Sequence, residues 1–116
     1  MILTDKAKTE FWKWFLPPET LRKNGLSSRF ANENRLRMYF LALPESCQHA
    51  LIIEWFINIG IVITFDYERN TKQYFGSVLC LNSNKRVDVI DNHREKYYKK
   101  ALEKANEIFN LKKTKQ

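Results

Sequence analysis

Glycine and proline are scarce in this chain, three of each among 116 residues, and their scarcity removes several architectures from consideration. Three unclustered glycines leave no backbone loop able to cradle a phosphate, which argues against a P-loop or a dinucleotide fingerprint. So few turn-formers beside 44% hydrophobic residues argue equally against disorder in the body of the chain. Cysteine is sparse as well. Cys47 and Cys80 are the only two, and neither belongs to a CxxC pair, so a disulfide framework is not expected and reduced thiols in an intracellular, cytoplasmic protein are. Met1 to Thr4 lead straight into charged Asp5, Lys6 and Lys8, unlike a secretory leader. The only long apolar run, Ala50 to Phe65, is interrupted by Glu54, Asn58 and Gly60. It also falls short of the ~20 residues that span a bilayer, so no membrane partner is expected.

Acidic residues are outnumbered, 13 against 20 Lys and Arg, for a formal charge of +7. The imbalance is local. Residues 92–116 carry eight Lys or Arg and three Glu, whereas residues 36–68 carry Arg37 against Glu45, Glu54, Asp66 and Glu68. A basic end of this kind suits an anionic partner, although the Lys-, Asn- and Ile-rich composition also matches an AT-rich genome that raises lysine without functional demand.

The length fits one domain of ~100–150 residues, expected over residues 1–111 with a basic tail at 112–116. Thr4 is positioned to cap a first helix, with Ala7, Phe11 and Phe15 on one stripe and Trp12 and Leu16 beside it, ended by Pro17-Pro18. Pro18 opens a short second helix that Asn24-Gly25 stops, and residues 26–34 read as loop. From Arg35 to Leu43 the period changes to two, which predicts a half-buried strand with Leu36, Met38 and Phe40 inward and Arg35, Arg37 and Tyr39 outward. A hydrophobic helix follows from Glu45 or Ser46 to Ile59, in which Ala50, Ile53, Ile57 and the neighbouring Leu51, Trp55 and Phe56 leave little polar surface besides Gln48, Glu54 and Asn58, and Gly60 is the left-handed residue that ends it. Ile61–Tyr67, Gln73–Leu81 and Arg86–Ile90 read as a meander of three strands, joined by polar turns at 68–72 and 82–85. Asn92 to Glu95 matches a capping box for a last helix running to about Asn110, burying Tyr98, Ala101, Leu102, Ala105, Ile108 and Phe109. The expected fold class is α+β, order α-α-β-α-β-β-β-α: a mostly antiparallel sheet of about four strands with helices mainly on one face.

Candidates for catalysis are thin. Cys47, His49, Cys80 and His93 are every Cys and His in the chain, but Cys47-x-His49 is not a zinc-finger spacing and both thiols sit in apolar segments. Arg86 and His93 have the separation of some RNA-cleaving motifs, but here a strand intervenes where those motifs need a helix. Asp88, Asp91, Asp66 and Glu68 stand beside turns, where carboxylates are ordinarily solvated. No catalytic residue, metal site, cofactor or small-molecule substrate is assigned, and a non-enzymatic binding protein is expected.

Binding features are more substantial. Arg35, Arg37 and Tyr39 place cations and a ring on one predicted strand face, a combination found where sheets bind single-stranded nucleic acid, although an ordinary solvent-exposed sheet face accounts for them as well. Arg94, Lys96, Lys99, Lys100, Lys104, Lys112, Lys113 and Lys115 form a cationic ridge and tail able to follow phosphates, with Glu95–Lys99 expected as an i,i+4 pair. Phe11-Trp12-Lys13-Trp14-Phe15 carries more aromatic surface than one helical face can bury, so Trp14 is expected to stay partly exposed as a partner contact.

Four segments carry a resemblance: Phe11 to Phe15, Tyr39 to Pro44, Phe56 to Ile61, and Ala101 to Asn110. In them the chain resembles a group of short proteins encoded by phages and prophages of Bacteroidetes, and it is similar to anti-CRISPR proteins directed at the RNA-guided RNA nucleases of type VI-B systems. The resemblance implies an inhibitor acting in the cytoplasm of a bacterial host, with a CRISPR effector nuclease or its guide RNA as partner. It transfers no functional residue. A free-standing RNA or single-stranded DNA binding accessory protein is the alternative.

Overall fold

Amphipathic spacing at the start of the chain produces the first helix. In the computed structural model, which describes residues 1–16 and 33–114, α1 runs Asp5–Phe15 and buries Ala7, Phe11 and Trp12, with Leu3 and Leu16 closing the stripe at either end. Thr4 stands at the N-cap position without making a side-chain cap bond. Its hydroxyl instead accepts from the Asn106 side chain at 3.0 Å, while Asn110 Oδ1 accepts the Ala7 N–H at 2.9 Å and Asn110 Nδ2 donates to the Thr4 carbonyl at 3.1 Å. Two asparagines one turn apart on the last helix thus cap the first one from outside. The second helix and most of the loop expected over residues 17–32 lie outside the described residues.

Residues 35–43 are not a strand. They belong to α2, Glu33–Ala42, followed after Pro44 by α3, Glu45–Asn58. Leu36 and Phe40 share a face with Met38 at period two and also stand at i and i+4 of a helix, with Leu43 at i+7, so a segment this short satisfies both periods. Packing chooses the helix: Phe40 is fully buried between Phe11 and Trp12, with ring centroids 5.2 and 5.3 Å away. In α3 the buried stripe is Ile52, Trp55 and Phe56, while Ala50 and Ile57 are exposed. Gly60, at φ +89°, ends α3 in the left-handed conformation as expected.

The sheet is antiparallel. Strands β1 (Ile61–Ile63) and β2 (Asp66–Glu68) both pair with one side of β3 (Gln73–Cys80), and β4 (Lys85–Asp91) pairs with the other. The single strand expected over Ile61–Tyr67 is therefore two short ones in a common register, with Ile61 opposite Cys80 and Asp66 opposite Phe75. They part at Thr64. Its N–H donates to the Ser77 carbonyl at 2.8 Å as a ladder bond should, but the Ser77 N–H donates to Thr64 Oγ1 at 2.8 Å rather than to the Thr64 carbonyl. The carbonyl, released from the ladder, accepts the Tyr97 hydroxyl at 2.5 Å. Gly76 lies beneath this crossing, where any Cβ would fall on the Thr64 carbonyl and the Tyr97 hydroxyl.

The last helix, α4 (Arg94–Thr114), lies across the sheet and buries Tyr97, Ala101, Leu102, Ala105 and Phe109, leaving Tyr98 and Ile108 half-buried. Asp91 rather than Asn92 turns the chain into it, accepting the His93 N–H at 2.9 Å and the Lys100 ammonium at 2.8 Å. The core joins α1, α2, α3 and the inner sheet face of Ile61, Val78, Cys80 and Val89 under α4. Val62, Phe75, Leu79 and Ile90 alternate onto the opposite face and stay partly or well exposed. The class is α+β as expected, with four helices among the described residues and a four-stranded antiparallel sheet whose fourth strand comes from the break at Thr64 rather than from residues 35–43.

Candidate functional site

The rings of Tyr67, Tyr74, Phe65 and Tyr98 form a continuous strip from the open end of the inner sheet face to the first turns of α4. Tyr67 and Tyr74 are directly opposed across β2 and β3, with centroids 4.7 Å apart. Phe65 stacks on Tyr74 at 5.4 Å and 22°, and on Tyr98 at 5.0 Å and 14°. Tyr97 closes the inner end edge-on to Phe65 at 5.5 Å. The Arg94 guanidinium lies 5.9 Å from the Phe65 centroid and 5.8 Å from that of Tyr98. Ring pairs at such distances are worth ~0.5–1.5 kcal/mol beyond burial, and an arginine over an exposed ring another ~0.5–1 kcal/mol. The strip is therefore held firmly in place, yet Phe65 and Tyr67 remain 39% and 44% exposed. Part of each of these two rings is therefore open to a ligand while neighbouring rings and, at Phe65, a cation hold it in place.

The strip abuts a groove of about 700 Å³ between the N-terminal parts of α3 and α4. Arg94 and Tyr98 line both, and His49, Lys96 and Lys99 belong to the groove alone. His49 Nε2 is 3.6 Å from Glu45 Oε1. Burial nevertheless holds the imidazole below its ordinary pKa, against the pull of Glu45 and with a smaller push in the same direction from Lys99.

The predicted site residues separate into groups. Arg94, Lys96 and Lys99 come together at the groove. Lys100 is committed to Asp91 and donates to the Ile90 carbonyl at 3.3 Å, and Lys104 is paired with Glu107 at 3.6 Å. The Glu95–Lys99 ion pair does not form among the described residues. The helix continues past Asn110 to Thr114, so Lys112 and Lys113 belong to its last turns, and Lys115 lies outside the described residues. Arg35, Arg37 and Tyr39 do not share a face. On a helix Arg37 turns inward, its guanidinium 5.5 Å from the Trp12 centroid, while Arg35 and Tyr39 point out. Trp14 is half-buried against Phe11, with centroids 5.9 Å apart. Arg86 and Asp88 bridge each other at 3.1 Å on the exposed sheet face, away from His93 at the start of α4. No group of three or more His, Cys, Asp or Glu side chains among the described residues is arranged to hold a metal ion, and no helix among them is long and apolar enough to cross a membrane.

Sequence reasoning missed Phe65, Tyr67, Tyr74 and Tyr98 as surface residues. Phe65 and Tyr67 do share a face at period two, and the polar turn at 68–72 does oppose Tyr67 to Tyr74, but alternation alone does not reveal where α4 stops covering the sheet. Comparison of the chain with protein-family models, with curated proteins and with solved structures gives no match. What the fold and surface define is an α+β domain carrying an exposed aromatic–cationic strip.

Proposed function

We propose that this chain is a non-enzymatic binding protein that grips single-stranded RNA on the strip of Tyr67, Tyr74, Phe65, Tyr98 and Arg94. The observation that carries the reading is the fixed stack of Phe65 on Tyr98 beneath Arg94, with Phe65 and Tyr67 open to solvent, in a protein of net charge +7. Bases stack on such rings for ~1–3 kcal/mol each, and a cationic surround supplies sequence-independent affinity for the backbone. Met38, Tyr39 and Leu41 on α2 are 70%, 65% and 50% exposed, an apolar surface suited to protein. That second surface favours a ribonucleoprotein over free RNA as the partner. An RNA-guided nuclease of host defence, the partner implied by the resemblance to phage-encoded inhibitors, is the first ribonucleoprotein to try.

The test is anisotropy of a labelled uridine octamer. Tyr67→Ala should weaken binding about tenfold while the chain stays folded, its melting temperature falling only by the loss of the ring pair with Tyr74. Equal affinity for wild type and Tyr67→Ala would remove the strip from the binding surface. Affinity capture from a host lysate, with and without ribonuclease, then reads the partner class. Capture that survives ribonuclease and is indifferent to Tyr67→Ala counts against RNA as the ligand.

A further inference from the structure

The groove beside the strip has a charge pattern that neither the core nor the helix ends account for. Arg94, Lys96 and Lys99 line it and form no ion pair among the described residues, whereas the next two lysines of α4, Lys100 and Lys104, are both paired. A lysine one turn after a glutamate on a helix is placed to pair with it. Lys99 has Glu95 in that position and does not bridge it. The groove also contains Glu45 and Glu95, with His49 held toward its neutral form by burial, so its cations exceed its carboxylates by one. That balance suits a single phosphate diester and not a polyphosphate.

Position adds the second argument. Arg94 and Tyr98 line the groove with one side and complete the aromatic strip with the other. A strand whose base lies against Phe65 must carry its phosphate to one side of that ring, and through Arg94 and Tyr98 the groove is a cationic surface adjoining it. Arginine is the residue able to serve both neighbours, since its plane lies over rings while its edge donates to phosphate oxygens.

We infer that the groove between α3 and α4 is a backbone-phosphate site, with Arg94, Lys96 and Lys99 as its donors, serving the same RNA strand that stacks on the aromatic strip. The inference rests on the strand-binding reading and adds a distinct subsite to it. Arg94 joins the two halves, and Lys96 and Lys99 belong to the phosphate alone.

Two probes of equal length separate the halves: a uridine octamer and an octamer of abasic ribose phosphate, each titrated against the full chain from low to moderate salt. The double variant Lys96→Gln, Lys99→Gln should bind both probes about tenfold more weakly. Its salt slope should also be shallower, by ~0.7 for each phosphate of a single strand that is no longer neutralised. Tyr67→Ala should weaken only the uridine probe and leave the slope as it is. Both lysines are exposed, and a circular dichroism melt of the double variant serves as the folding control. If the double variant keeps wild-type affinity and slope while Tyr67→Ala weakens uridine binding, the phosphate site is overturned and the strip stands. If both probes bind alike and only the lysine changes matter, the phosphate site stands and the strip falls. Absence of binding to either probe overturns both.

Discussion

The Tyr97 hydroxyl donates to the main-chain carbonyl of Thr64 at 2.5 Å, and this one bond fixes α4 to the point where the edge of the sheet divides into two strands. The Thr64 side chain makes it possible by taking the carbonyl's place in the ladder, accepting from the Ser77 N–H. Tyr97→Phe keeps the fully buried ring and deletes only the donor. It should destabilise the fold by ~1–2 kcal/mol, because a part-buried carbonyl loses its partner and has no ladder bond to return to. The measurement is a urea midpoint that falls with the slope of the transition unchanged. An unaltered midpoint would mean that water serves the Thr64 carbonyl equally well.

Two glycines are required for different reasons. Gly60, at φ +89°, needs the conformation, whereas Gly76 needs the space beneath the Thr64–Tyr97 crossing. Gly60→Val should cost more than ~1 kcal/mol through strain in the left-handed region. Gly76→Ala should cost ~1–3 kcal/mol by overpacking. Tyr97→Phe distinguishes the two. Removing the hydroxyl relieves part of the crowding at Gly76, so Gly76→Ala and Tyr97→Phe should be non-additive in a double-mutant cycle. Gly60→Val and Tyr97→Phe should simply add.

Acid stability should fall in two stages. Burial lowers the pKa of His49 in the folded state, so the unfolded chain takes up its proton first. The His49 contribution is complete above its ordinary value of 6.5 and is lost as pH falls from there through the folded value. Asp91 is also held below its ordinary 3.8, chiefly by the Lys100 hydrogen bond and then by the His93 N–H, so its contribution is lost only at lower pH, as pH falls from 3.8 through its folded value. His49→Gln should flatten the upper stage and leave the lower one. Denaturant midpoints across pH 3 to 8 for both proteins check this, and parallel curves would show that His49 is not the group responsible.

Much of the fold is legible where one residue type has one physical role. Pro44 and Gly60 bracket a helix, polar turns separate strands, and the stripe of Ala7, Phe11 and Phe15 finds the buried face of α1, with Phe15 half-buried and the flanking Trp12 and Leu16 buried instead. Legibility ends where two periods fit the same residues. Leu36 and Phe40 suit a strand or a helix, and only the rings of Phe11 and Trp12 against Phe40 decide. The same ambiguity removes Arg37 from the predicted site, since a face shared at period two is divided on a helix. The cations of α4 are legible as a ridge, but which of them are free is not, because Asp91 and Glu107 take up Lys100 and Lys104 through geometry that spacing does not encode. Tyr97 and Tyr98 show the same limit. Adjacent and chemically identical, they differ by the hydroxyl's one partner at Thr64, a residue 33 positions away.

The asparagine clasp has a consequence for the order in which this protein assembles. The Thr4 carbonyl and the Asn110 side chain are 106 positions apart, so their bond closes a loop containing nearly all of the chain. Such a closure is entropically unfavourable until the intervening segments have condensed and brought its ends together. An isolated helix as short as the 11 residues of α1 is marginal in water and has little reason to persist before it docks. The cap on the helix synthesised first among the described elements thus closes last. Phe11, Trp12 and Phe15 can meet Phe40 and Trp55 earlier, but until α4 arrives with Asn106 and Asn110 the first turn of α1 has no cap, and that end of the helix is the part most open to fraying and misassembly.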